Sequence, residues 1–542
     1  MKKNRIWLSS IITVILAAII YYIFYPPINL QNFQFWIFLI VILTIYIIIN
    51  SFLGVSSNLL NLLKGRRTTF KWKEEKILLL VPMIIVSILI INSILSPFFQ
   101  AKSYYQRIKI DTGDFEKEVT EVNFQKLPLL DRASTLKIGD RTMGQMSELV
   151  SQFDVSNQYT QINYKDEIIR VTPLEYSNII KWFTNRKEGI KAYITVNSTT
   201  GKANLIKLKK GMHYVPSGRF NENLYRKLQF SYPTKNFDSV NFEIDNKGNP
   251  YWIASVVKYW GVGLKREVTG AVIFNPISGK SKYYSKEKIP TWVDHVYEAD
   301  LILEEVSDWG KYQKGFLNSI ISQKGVVETT TGYNYLAQDN DIYLYTGITS
   351  VIQDESNIGF ILTNLRTKET KYYSVAGAEE YSAMDSAKGQ VQQMNYTSTF
   401  PLLINLKGRP TYLVSLKDNA GLVKMYGFVD VVDYQKVVVT DASKGIEKAA
   451  ENYLSEIVED TDETARNQKE ITIKDIKTAQ IDGNTYYYII DQENQKYKVS
   501  IQKDKTNLPF ISINDKITIQ YNKEENVINI SKIIKIETNN ES

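Results

Sequence analysis

Residues 192–208 read AYITVNSTTGKANLIKL. An apolar run rich in β-formers ends in Asn197, three small polar residues follow, Gly201 and Lys202 close the turn, and a run of alternating character departs. Asn bonds its own turn and tolerates left-handed backbone, and Gly takes positive φ without steric cost, so the stretch predicts two strands joined by a tight hairpin. The design recurs at 270–286 (GAVIFNPISGKSKYYSK) and 359–375 (GFILTNLRTKETKYYSV). Asn197, Asn275 and Asn364 hold one place, with Gly201, Gly279 and Lys368 each four residues on. A second hairpin, built on Lys-Gly-x-Pro and followed by aromatics, occupies 242–256 (FEIDNKGNPYWIASV) and 403–416 (LINLKGRPTYLVSL), with weaker copies at 163–171 and 338–345. Repetition of this kind predicts duplicated β units packed side by side.

Two helical candidates interrupt the β text. Residues 172–185 (TPLEYSNIIKWFTN) set Pro173 behind Thr172, a cap and first-turn pairing, and 290–305 (PTWVDHVYEADLILEE) read likewise, so helices are expected on one face of antiparallel sheets in an α+β fold. Past Asp441, residues 443–457 read as a helix and 458–470 as a charged linker. Five strand-like runs then fill 471–536, the count of a small barrel of the OB type and equally of a small open sheet. The expected division is an anchor (1–99), a polar stalk (100–152), two repeat regions (153–290 and 291–440), a linker (441–470) and a barrel-like domain (471–542).

The order hairpin, apolar strand, Asn-x-x-[Ser/Thr]-Gly-Lys, strand resembles the core of PepSY-type domains, whose strands commonly close on D-x-x-T-G-[KE]. Asn197 to Lys202 and Asn275 to Lys280 match with Asn in place of Asp, while the third copy carries Arg366, Thr367, Lys368 and Glu369 without glycine. The stretch 153–439, with its anchor, also resembles an uncharacterised family of large Firmicutes membrane proteins, some loosely labelled as cell-shape determinants. That resemblance implies an envelope location and supplies no reaction.

The anchor is read from three uncharged apolar segments, 6–25, 35–54 and 77–96, each the length of a helix crossing a hydrocarbon core of roughly 30 Å. Trp7, Tyr21, Tyr22, Tyr25, Phe35 and Trp36 crowd their ends, where amphipathic rings settle. Lys2, Lys3 and Arg5 precede the first segment, Lys64, Arg66, Arg67, Lys71, Lys73 and Lys76 fill the second connection, and the first connection is uncharged. The positive-inside rule then predicts a cytoplasmic N-terminus and an extracytoplasmic region after Phe99. A cleaved signal peptide competes for the first segment, but no small-x-small site follows Tyr25. The nine cations of residues 1–99 against Glu74 and Glu75 account for the whole net charge of +7, so the remainder is neutral. A neutral outer region argues against nucleic acid as a partner.

The chemical inventory is thin. The chain has no cysteine, which removes disulfides and thiolate chemistry, and only two histidines. Asp294, His295 and Glu298 are local on a predicted helix, where His295 and Glu298 share a face and form a candidate metal pair whose plainer reading is a partly exposed amphipathic helix; His213 has no acidic neighbour. Asp339 with Asp341, Glu379 with Glu380, Asp354 with Glu355, and Asp245 all sit at turn-like places. The paired tyrosines at 283–284, 372–373 and 486–488 suit strands, where neighbours face opposite ways. No catalytic residue, cofactor or metal is therefore assigned. The expectation is a non-catalytic, membrane-anchored envelope protein that binds a protein or a wall component and uses the lipid bilayer as its other partner. A carboxylate-dependent wall hydrolase and an accessory subunit of a membrane complex are the alternatives, and no oligomeric state follows from the sequence.

Overall fold

The computed structural model describes residues 2–63, 73–145, 147–351, 353–461, 467–481, 484–501, 504, 508–521 and 526–537. The chain is mixed α and β, with three long apolar helices first: α1 (Lys2–Phe24), α2 (Phe33–Leu63) and α3 (Lys73–Tyr105). Their segments Arg5–Phe24, Phe33–Gly54 and Leu80–Tyr105 are long and apolar enough to cross a membrane. Most of the basic connection, residues 64–72, lies outside the described residues.

The expected polar stalk at 100–152 is replaced by a tied-down strap. Helix α3 runs on to Tyr105, and Tyr104 is buried with its hydroxyl 2.6 Å from Ser96. Ile110–Gly113 then pairs in parallel with Thr370–Tyr373, and the Val122 amide donates to the Asn405 carbonyl at 2.9 Å. Asp131 caps the helix Arg132–Gly144 and meets Lys417 at 2.5 Å. The isolated apolar residues Ile108, Phe115 and Val119, each buried, hold the strap down.

Residues 1–435 form one unit. After the strap it repeats one motif four times: a helix, then an antiparallel meander. The helices are Arg132–Gly144, Leu224–Ser231, Ala299–Tyr312 and Glu380–Gly389. The meanders run Thr160–Tyr164, Glu167–Tyr176, Ile190–Asn197, Ala203–Met212; then Asn236–Ile244, Pro250–Trp260, Lys265–Phe274, Ser281–Ser285; then Asn334–Gln338, Asp341–Ser350, Gln353–Asn364, Thr370–Tyr373; and last Leu402–Leu406, Arg409–Lys417, Val423–Asp430. Three of the opening hairpins turn on two residues at positive φ, Lys165-Asp166, Asp339-Asn340 and Lys407-Gly408, whose twist matches that of the strands they join. One shared core joins the first two meanders through Val171, Ile194, Phe242, Trp252 and Phe274; another joins the second and third through Ile253, Val268, Leu301, Ile342 and Ile361.

Both helical candidates shift. Thr172 and Leu174 are fully buried in the strand Glu167–Tyr176, and a helix begins only at Ile179, capped by Asn178. Cross-strand pairing with Ile194 and Tyr193 outweighs the local Thr-Pro signal. The second helix starts at Ala299, so Asp294 and His295 lie in the loop before it and Glu298 is its N-cap residue.

The repeated asparagines make one turn. The side-chain oxygens of Asn197, Asn275 and Asn364 each accept from the amides two and three residues on, at 2.8–3.0 Å. Their carbonyls accept from Gly201, Gly279 and Lys368, all at 2.9 Å. Those three residues have φ of +73°, +70° and +66°, so the third copy keeps the geometry without the glycine. A fourth copy, missed in the sequence, stands at Asp430, whose carboxylate accepts from the Val432 and Asp433 amides, both at 2.9 Å.

Residues 436–542 form the second unit. Its helix Ile446–Thr461 matches the expected one, and five strands close a barrel in the order Asn467–Ile481, Asn484–Asp491, Lys496–Ser500, Val527–Glu537, Lys516–Tyr521. Ile473, Ile489, Tyr497, Val499, Ile517 and Ile519 fill it, alternate residues of each strand pointing inward.

Candidate functional site: the membrane junction and a buried carboxylate cluster

The α1–α2 connection lies against the globular part. The Ile28 amide donates to the Pro233 carbonyl at 2.7 Å, Gly263 to Gln31 at 2.8 Å, and Asn32 Nδ2 to Asn236 Oδ1 at 3.1 Å in a buried contact. Tyr21 stacks on Phe230 at 5.8 Å, and the Arg226 guanidinium lies over Tyr22 at 4.6 Å. At α3, Asn92 bonds both polar groups of the Val262 backbone, and Phe98 meets Phe316 edge to face at 5.5 Å. The α1–α2 connection and the region after α3 thus share one side of the three helices.

Just past α3, Arg107 is fully buried. It donates to the Arg266 carbonyl at 2.7 Å, to Asp308 at 2.5 Å and to Glu304 at 3.2 Å. Lys265 reaches the same two carboxylates at 3.0 and 3.1 Å, and Arg266 joins Asp238 at 2.8 Å and Asp300 at 2.9 Å. One turn away, Lys368 bridges fully buried Glu305 and the Arg107 carbonyl, each at 2.7 Å. Burial pushes the Glu305 carboxyl up to about 7 against the pull of Lys368 and Arg107. Removing one member of such a buried set costs about 3–5 kcal/mol, because it strands the opposite charge, so the helix Ala299–Tyr312 is clamped to the exit of α3.

The second cluster surrounds the sequence candidates. Glu243, fully buried, accepts from the Asp294 amide with one oxygen and the His295 amide with the other, both at 2.9 Å. Asp294 accepts from the Asn163 amide at 2.8 Å. His295 Nε2 lies 2.6 Å from the Gln161 carbonyl, so that nitrogen carries the hydrogen, and the ring meets Tyr335 edge to face. Burial raises both carboxyls, helped at Asp294 by the neighbouring Glu243 and at Glu243 by Glu298, and burial lowers His295. Glu298 accepts from Asn241. These groups tie residues 290–298 to the first and second meanders; buried and occupied with backbone amides, they offer no face to a substrate.

The remaining candidates also serve the fold. His213 lies 3.1 Å from the Arg186 carbonyl. Asp245 accepts from three groups of its own turn, and Asp341 holds Arg366 with two hydrogen bonds and Asn364 with a third. Glu379 is the N-cap residue before buried Glu380, which accepts from the Gly347 amide at 2.9 Å; the side chains of Asp354 and Glu355 lie outside the described residues. In the pairs at 283–284 and 372–373 the first member is a lock: Tyr283 and Tyr372 donate to the Thr269 and Ile358 carbonyls at 2.9 Å, crossing Gly270 and Gly359, where a Cβ would lie within 3 Å of the ring or hydroxyl. Gly opening an apolar run five residues before the turn Asn, with Tyr eight residues after that Asn, is the signal that finds this pair. Among the described residues no group of three or more His, Asp or Glu stands ready to hold a metal ion. Comparison with protein-family models and with curated proteins finds no match for the chain.

Proposed function

We propose that the chain is a membrane-anchored envelope protein whose repeated units, held outside the cytoplasm, act as a non-catalytic module binding another protein or a wall component. The observation that carries it is the junction: three apolar helices are joined to the globular part by buried hydrogen bonds and ion pairs, a build suited to holding a binding surface at a defined height. The burial of Asp294, His295, Asp341 and Glu380 supports it. The four helix–meander units, with Asn or Asp turns, support a PepSY-like reading, and the barrel, whose third and fifth strands pair in parallel, supports an OB-like one. The cation-rich first helix end and the uncharged α1–α2 connection support the outward orientation.

Cross-linking the full chain in intact cells, followed by purification from solubilised membranes, should return a discrete protein or wall fragment. Release of soluble fragments from isolated wall polymer by the purified chain would replace this reading with a hydrolase. Because the chain lacks cysteine, an impermeant maleimide applied to whole cells should label Lys247→Cys, and failure to label it until the cells are lysed would reverse the orientation.

A further inference from the structure

Two exposed apolar knobs of the globular part stand beside the ends of the spans. The first is the short helix Ile179–Asn185 with the neighbouring Phe220: Ile179, Ile180, Phe183 and Phe220 are 55–68 % exposed. Phe220 packs on Trp182 at 5.8 Å, and the next residue, Asn221, accepts from the Tyr22 hydroxyl at the end of α1. The second is the helix Gly315–Ile320 with Ile321: Leu317, Ile320 and Ile321 are 57–77 % exposed, while Phe316 beside them packs on Phe98 in the last two turns of α3. Isolated apolar side chains on a surface are ordinary, but two clusters of large ones, each one contact away from a different span, are not.

Charge agrees with position. Lys181, Arg186, Lys187 and Arg219 surround the first knob, with the Arg186 guanidinium over Trp182 at 5.3 Å, and Lys311, Lys314 and Lys324 surround the second. Lys and Arg around an apolar face are the composition of elements that lie in the headgroup zone, rings and branched chains reaching into the acyl boundary while cations meet lipid phosphates. The second meander supplies the direction. Its strand Asn236–Ile244 begins at the bond to Asn32 and its turn at 261–263 touches α3 and the start of α2, so its opposite end, at Lys247, stands past a nine-residue strand, roughly 30 Å away.

We infer that the globular part sits on the bilayer through these two knobs, each inserted into the interfacial zone of a leaflet bearing anionic phospholipid. The inference rests on the apolar helices crossing that bilayer, and a probe within α1 separates the two claims. The full chain is prepared as single-cysteine variants Phe183→Cys, Ile321→Cys, Lys247→Cys and Ile15→Cys, labelled with an environment-sensitive fluorophore, and placed in nanodiscs of phosphatidylcholine and phosphatidylglycerol with or without nitroxide-bearing lipid. All four sites are open to solvent or lipid, so the labels leave the cores intact. With insertion of about 5–10 Å expected at the knobs, emission should fall at least about twofold at Phe183 and Ile321 and change little at Lys247. Replacing phosphatidylglycerol by phosphatidylcholine should weaken quenching at both knobs. Quenching at Ile15 alone, quenching at one knob only, or equal quenching at Lys247 would overturn the seating, as would knob signals that follow protein concentration instead of nitroxide, which would assign the surface to a second copy. Absence of quenching at Ile15 would remove the membrane-spanning premise itself.

Discussion

The turn that ends at Gly279 and the turn that ends at Lys368 make the same hydrogen bonds on residues of opposite character. Glycine enters the left-handed region freely, whereas a side chain there costs on the order of 1 kcal/mol. Lys368 bears that cost because its amine reaches buried Glu305, a contact that no local reading of the turn contains. In the first copy, Gly201 has a similar φ and a roomier setting, its Cβ direction meeting Leu130 at 3.4 Å and Ile138 at 3.7 Å, while at Gly279 the Tyr214 ring stands 2.6 Å from where a Cβ would be. Equivalent turns thus differ in what they hold, and substitutions should separate them.

The largest effect is expected for Lys368→Gly. Sequence alone predicts a neutral or mildly stabilising change; the ion pair reverses the sign. Loss of the amine strands a buried carboxylate, and the variant should be about 2–4 kcal/mol less stable at pH 8 even after the relief of backbone strain. The pH dependence follows from Glu305, whose folded pKa lies above its ordinary 4.5, at about 7. A raised carboxyl contributes its stability fully below about pH 4.5 and loses it as pH rises through 7, since the folded state then holds a proton it must give up. The Lys368→Gly penalty should therefore be smaller at pH 5 than at pH 8, by up to about 1.4 kcal/mol for the one pH unit above 7, and Glu305→Gln added to it should flatten that slope. A pH-independent penalty by chemical denaturation would show that the turn and not the ion pair is at fault.

Next in size is Gly279→Val, expected to cost about 2–3 kcal/mol from positive φ plus the clash with Tyr214, against about 1–2 kcal/mol for Gly201→Val, where backbone strain acts nearly alone. Equal losses in thermal melting would remove the distinction drawn from Tyr214. The smallest effect is expected at the fourth copy. Asp430→Asn keeps the oxygen that accepts from Val432 and Asp433 and gives up only a 3.9 Å approach to Arg409, so it should stay within about 0.5 kcal/mol of the parent. A larger loss would mean that Asp430 does more than close its turn.

Much of the architecture was legible because it is written in local chemistry. Asn followed four residues later by Gly marked two hairpins, and the runs without charge marked three helices of spanning length. The fourth copy escaped because Asp430-Val431-Val432-Asp433 has neither Asn nor Gly, though its carboxylate performs the same capping. The candidate site was misread for a related reason: a helix face for His295 and Glu298 was inferred from spacing, while the segment is held extended by Glu243, fifty residues earlier in the chain.

By itself the sequence determined the three apolar helices, the strand periods and the hairpin positions, since each depends on side chains within a few residues of one another, whereas closure of the C-terminal strands into a barrel rests on the pairing of 467–472 with 516–521. Tertiary structure alone decided where the interior helices begin, that 100–152 is a strap bound to distant strands, that Lys368 is retained at a position suited to glycine, and that Asp294 and His295 are interior hydrogen-bond partners. Those outcomes turn on the pairing of strands and the burial of charge, which set the free energy of a residue by neighbours far away in the chain and leave no pattern in the residues beside it.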